Sequence, residues 1–182
     1  SATLGVPDEP SFGWLRRQLG LDEADTLRVG SPFDYDRAVQ LVLPEAMPDP
    51  TDATAFRAEV AEQCLQHVHQ NGGRALILCT SWDFVRTLAA TLRPSLTEAG
   101  IELLVQGEAP LQRLLEQKRA APTSVLIGTD SLWEGIDLRG DALTLLIITR
   151  LPFQSPGHPL TQARMAALKA KGRDPFADHS LP

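Results

Sequence analysis

The sequence predicts an α/β domain: a mostly parallel sheet of five or six strands with helices on both faces. Three observations carry that expectation. Short, continuous apolar runs alternate with amphipathic stretches of helical period across most of the 182 residues. Gly and Pro punctuate the transitions between them. The apolar runs are unbroken rather than alternating, the pattern of strands buried on both faces, and helices between them force parallel crossovers. One core suffices for a chain of this length.

The elements follow in order. Residues 1–8 are small, polar and Pro-containing, and read as the end of a preceding unit. A short helix is expected over 11–19, with Phe12, Leu15 and Leu19 on one face and Gly20 as its stop. Residues 26–30 read as a short strand that Pro32 ends, and 39–43 as a buried strand before the loop 44–50. A helix follows over 52–70, its apolar face Phe56, Val60, Leu65 and Val68, with Thr51 or Asp52 as cap and Gly72-Gly73 as terminator. Residues 74–79 form a continuous apolar strand. Thr80 and Ser81 then stand as cap candidates for a helix over 82–92, which Pro94 bends or ends. A strand at 101–105, a helix at 110–119 with Pro at its first turn, and strands at 125–127 and 143–149 complete the sheet. A last helix over 161–171 offers Ala163, Ala166, Ala167 and Ala170 as a small, closely packing face.

Composition excludes several classes. With 17 basic against 23 acidic residues the net charge is −6, which argues against binding nucleic acid through bulk charge and leaves room for a local groove. No apolar run approaches the roughly 20 residues of a membrane helix, so no membrane partner is expected. Two cysteines, Cys64 and Cys79, both inside apolar runs and without a secretory signal, fit a reducing cytoplasm. Cys64, His67 and His69 resemble metal ligands only superficially, because 69 leaves the helical face shared by 64 and 67 and no fourth ligand is evident. No metal site is expected here.

One stretch stands apart. GTDSLWEGID, residues 128–137, follows a buried strand and holds two glycines, two hydroxyls, an indole and three carboxylates. Ligands of open parallel sheets collect at the carboxyl ends of strands, so this loop reads as a site. Each member also has a structural explanation: Asp130 or Ser131 as a cap, Trp133 as core, Glu134 and Asp137 as backbone acceptors. Neither GxxxxGK[ST] nor GxGxxG occurs, so the chain does not cradle a nucleotide alone by those routes. Glu134 and Asp137, three apart, fit general acid/base work only if a substrate lies between them. Thr80 and Ser81 serve equally as a plain helix cap or as a cap that also receives a phosphate.

The strings SATL, SPFDY, LILCTSWDF, QGE, GTDSLWEGID and ITRLPFQSPGHP together resemble the C-terminal half of DinG-type helicases, relatives of the XPD-like branch of superfamily 2. The resemblance covers almost the whole chain. It implies a RecA-like second motor domain of an ATP-dependent helicase that moves 5′ to 3′ on single-stranded DNA, in the cytoplasm and in DNA repair. Residues 1–25 would be the end of the first motor domain and a linker, with Ser1 and Thr3 in motif III coupling nucleotide state to DNA contact. Residues 26–182 would be the second motor domain. Thr80 and Ser81 (motif IV) and Thr129 and Ser131 (motif V) would face DNA phosphates, Glu134, Gly135 and Asp137 would line the ATP cleft, and Trp133 would connect the two ends.

The family often has an aromatic where Leu132 stands and a proline where Arg139 stands. The chain reads as a fragment ending before motif VI, the source of an arginine finger worth a factor of about 10³ to 10⁵ in related hydrolases. ATP and Mg²⁺ would be held mainly by the first motor domain, and the family's 4Fe–4S cluster would also lie there. The isolated chain is expected to be inert. Two other functions compete: a stand-alone protein-interaction module on the motor fold, and a small hydrolase using Glu134 and Asp137.

Overall fold

The computed structural model describes residues 12–21, 23–153 and 157–175. Ser1 and Thr3, and with them the proposed coupling segment, lie outside the described residues. The chain divides into two units, residues 44–152 and residues 1–43 with 153–182.

The first of these contains the sheet. Four parallel strands, β1 (Ala75–Leu78), β2 (Leu103–Val105), β3 (Val125–Gly128) and β4 (Leu145–Ile148), lie in the order β2-β3-β1-β4. Parallel neighbours need crossovers, and these come from α4 (Trp82–Glu98), between β1 and β2, and α5 (Leu111–Ala120), between β2 and β3. On one face Ala75, Ile77, Leu103, Val105, Val125 and Ile127 form a core with α3 (Ala53–Asn71) and α4, reinforced by Cys64 and Cys79. On the other, Leu76, Leu78, Leu104 and Leu126 pack with Leu114 of α5 and with Leu132. The period-2 side-chain alternation of a strand sorts the residues between these faces.

Local chemistry fixes the element ends. Asp52 caps α3 by accepting the Ala55 N–H at 3.1 Å, and Gly72, left-handed at φ 64°, closes it. Gly73 is obligatory: a Cβ there would stand 1.7 Å from the Thr123 carbonyl oxygen. Ser81 caps α4 through the Phe84 N–H at 3.2 Å. Pro94 does not end α4, which continues to Glu98. The buried stripe Phe84, Val85, Leu88, Ala89, Leu92 and Leu96 runs through that position, and its packing offsets the lost backbone bond.

The described sheet has four strands rather than five or six. Residues 26–30 and 39–43 are not strands; Leu27, Val29, Val39, Leu41 and Leu43 are all exposed. Apolar composition alone does not make a strand, and neither segment has strand backbone pairing. β4 is half-exposed, with Leu146 and Ile148 outward on the face that α5 covers elsewhere.

In the other unit α1 (Gly13–Leu19), α2 (Tyr35–Ala38) and α6 (Pro159–Ala170) are described. The face expected to pack α6 is not the one that does. Ala163, Ala166, Ala167 and Ala170 are exposed, while Thr161 is buried and Met165 and Leu168 are half-buried. These three sit at i, i+4 and i+7, the spacing of one helix face.

Candidate nucleic-acid and nucleotide interface

The carboxyl ends of the four strands form a crest. In sheet order it runs through Gln106, then Gly128 and Thr129, then Cys79, Thr80 and Ser81, then Thr149 and Arg150. Backbone bonds extend the ladder one step beyond the strands: Gln106 N–H to Ile127 O at 2.9 Å, Cys79 N–H to Gly128 O at 2.8 Å, and Thr149 N–H to Leu78 O at 3.0 Å. The Thr149 hydroxyl donates to the same Leu78 oxygen at 3.0 Å. At Gln106, Cys79 and Thr149 the crest therefore continues the hydrogen-bond ladder of the sheet.

Loop 128–137 rises from the middle of that crest. Gly128 is enclosed, since a Cβ would meet Gln106 Oε1 at 2.2 Å and Leu132 Cδ1 at 2.4 Å. Residues 130–132 form one 3₁₀ turn, closed by Leu132 N–H to Thr129 O at 2.8 Å. Leu132, 1 % exposed, plugs the second core, and Trp133 and Ile136 pack on the same cluster. The Trp133 indole N–H is buried and meets no acceptor among the described residues. Beyond it Glu134, Gly135 and Asp137 are exposed. Gly135 takes φ 75° with open space where a side chain would be. The Asp137 carboxylate pairs with Arg139 at 2.7 Å, and the Asp137 carbonyl accepts from Arg119 at 3.2 Å.

The hydroxyl residues divide. Thr80, Ser81 and Ser131 are exposed on the crest, whereas Thr129 is 4 % exposed and lies inside it. Ser81 is already engaged as the α4 cap, so the cap is real whatever else the residue does. One crest residue, Gln106, carried no assigned role from the sequence, and Trp82 entered only as part of motif IV beside Thr80 and Ser81. Gln106 bridges Thr129 and Ser131, and Trp82, 47 % exposed, opens the first turn of α4 against Gly107. The signal for Gln106 was present: a polar residue and a glycine stand together directly after a buried strand, as they do, in the opposite order, at Gly128-Thr129.

The thiols are not part of this chemistry. Burial pushes Cys64 up to about 12 and Cys79 up to about 11, the latter opposed by a hydrogen bond with Thr149, so both are neutral packing groups near pH 7. No group of three or more His, Cys, Asp and Glu is placed to hold a metal among the described residues, and no described helix is long and apolar enough to cross a membrane.

The parallel α/β domain carries its polar loop on the carboxyl edge of the sheet, the edge where ligands of open parallel sheets collect. The chain belongs to the helicase C-terminal domain family, whose model matches residues 64–182. The four-stranded parallel sheet agrees with the RecA-like fold expected for such a domain. All of the chain is similar to ATP-dependent DNA helicase YoaA of Escherichia coli (38 % identical, 28 % of that protein's length). It is likewise similar throughout to 3'-5' exonuclease DinG of Bacillus subtilis (35 %, 20 % of its length). A third relative is ATP-dependent DNA helicase DinG of Photobacterium profundum (34 %, 27 % of its length). The chain thus spans about a quarter of the length of these relatives.

Proposed function

We propose that this chain is the second motor domain of an ATP-dependent DNA helicase, supplying one wall of an ATP cleft and part of a groove for single-stranded DNA. The observation that carries the proposal is the division of one loop. Its start sits beside exposed hydroxyls at 80, 81 and 131, and its end projects exposed carboxylates around a glycine. Hydroxyls on this crest suit the sequence-independent phosphate contacts a motor needs. Thr129 lies beneath that surface, and reaches a phosphate only when the turn opens.

The residues present fit one part of ATP rather than all of it. Exposed Glu134 and Asp137 beside the open space at Gly135 can accept ribose hydroxyls, while carboxylates alone repel phosphates. The chain has no phosphate loop, so the phosphates and Mg²⁺ fall to the first motor domain, the proposed partner within the same protein. ATP, when bound, supplies the free energy of hydrolysis that opens and closes the cleft. A 4Fe–4S cluster does not fit this chain, which has two cysteines, both buried and protonated.

The test compares the full-length protein with residues 1–182. Full-length protein hydrolyses ATP with stimulation by single-stranded DNA; the shorter chain binds single-stranded DNA weakly and does not turn over ATP. Robust hydrolysis by the short chain, or no DNA stimulation in the full-length protein, refutes the proposal.

A further inference from the structure

We infer that Gln106 is a positioning residue that fixes loop 128–137 to the end of β2 and turns the Ser131 hydroxyl proton outward, toward a nucleic-acid phosphate. The inference rests on the helicase function proposed above and adds a residue that controls its DNA contact.

The geometry decides the orientation of the amide. The Thr129 N–H can only donate, so the group 2.6 Å from it is the Gln106 Oε1 acceptor. Nε2 is then the group 2.6 Å from Ser131 Oγ, and it donates. A hydroxyl that accepts from the amide keeps its own proton free for an outside acceptor. Ser131 is exposed and therefore able to meet one. The Gln106 backbone N–H is tied to Ile127 O at 2.9 Å, which fixes the main chain from which the side chain projects. Gly128 leaves the amide just the room it occupies, because a Cβ at 128 would stand 2.2 Å from Oε1 and 2.9 Å from Gln106 Cβ. The neighbouring Gly107, at φ 97°, carries no side chain against the exposed Trp82 ring, whose Cζ3 would lie 3.3 Å from a Cβ there. The dipeptide Gln106-Gly107 thus joins the two stretches proposed to meet DNA.

An amide is required because it offers an acceptor and a donor together. Glutamate has the same shape and preserves both contacts, but Ser131 must then donate inward to the carboxylate. The crest loses an outward proton and gains a negative charge. Leucine removes both contacts without adding charge. A purely structural role ranks Gln106→Glu as the milder change; a phosphate-positioning role ranks it as the harsher one.

The experiment uses the full-length protein and oligo-dT, measuring the DNA concentration for half-maximal ATPase alongside the KM for ATP. Gln106→Glu is expected to raise the DNA half-saturation roughly tenfold or more, and Gln106→Leu by about three- to tenfold, the scale of losing one or two hydrogen bonds. The KM for ATP is expected to stay within about twofold of wild type in both. Wild-type DNA affinity in Gln106→Glu, or a milder effect from Glu than from Leu, overturns the inference. If Gln106→Glu fails to fold, Gln106→Leu decides alone: an unchanged DNA half-saturation overturns the inference. A wild-type protein that neither binds oligo-dT nor hydrolyses ATP defeats the helicase proposal itself, which is a separate result.

Discussion

The two halves of loop 128–137 are built by different physics. Residues 128–132 are fastened from several sides: Gly128 is enclosed, the Thr129 N–H is held by Gln106, and Leu132 is set into the core. In residues 134–137 Ile136 packs on the second core, while Glu134, Gly135 and Asp137 are exposed and Asp137 meets Arg139 and Arg119. The Asp137–Arg139 pair, with side chains 62 % and 87 % exposed, is screened by solvent and contributes little. The first half needs no partner to take its shape. The second leaves Glu134, Gly135 and Asp137 open to solvent, where the proposed partner domain would meet them.

The sharpest way to break this contrast is to loosen the anchored half. Leu132→Ala removes most of a fully buried side chain beneath the turn and is expected to destabilise the chain by about 2–5 kcal/mol in chemical denaturation. A loss below about 1 kcal/mol would mean that Leu132 does not anchor the loop.

Next comes the support beneath β3. Lys118 is 0 % exposed, and its Nζ donates to Pro122 O at 2.8 Å and Ser124 O at 2.5 Å, fixing the turn that leads into the strand. Burial pushes its ammonium down to about 8 from 10.5. Between those values the unfolded chain binds the extra proton, so stability rises with pH across that window, by at most about 3 kcal/mol. Below the folded pKa both states are protonated and Lys118 contributes no slope. Lys118→Met should abolish the rise. If the pH dependence of unfolding survives this substitution, the titrating group lies elsewhere.

Gly128→Ala follows, at about 1–3 kcal/mol, because the added methyl displaces the ends of Gln106 and Leu132. The two ends can swing aside, but Gln106 Cβ, 2.9 Å from the added carbon, moves only with its backbone, so amide exchange at Thr129 should rise by more than global stability falls. Equal changes in the two would place the strain outside the loop.

How much of this was legible beforehand depends on what each feature needs. The strands at 75–78, 103–105, 125–128 and 145–148 announce themselves because continuous apolarity is itself the signature of a two-sided burial. The apolar residues at 39–43 look similar in the sequence yet form no strand, because pairing is not a local property. Ser81 as a cap was readable because the partner amide is three residues away. The anchoring of 128–132 was not, since Gln106 lies 23 residues from Thr129 and 25 from Ser131 in the chain. The loop's chemistry was thus visible in its composition, while its division into a fixed half and an open half depended on contacts made across the fold.

The smallest structural effect bears on the largest functional claim. Asp137→Ala should leave stability close to wild type, because it removes only one solvent-screened ion pair. In the full-length protein the same substitution should lower ATP turnover while the DNA half-saturation stays near wild type. Ser131→Ala, also at an exposed position, should do the opposite, raising the DNA half-saturation with the KM for ATP retained. The two residues are only six positions apart, so a generic disturbance of the loop would affect both readouts alike in both variants. Opposite patterns would mean that a single loop presents two independent surfaces; matching patterns would mean that the anchored and open halves act as one body, and the division drawn between them would fail.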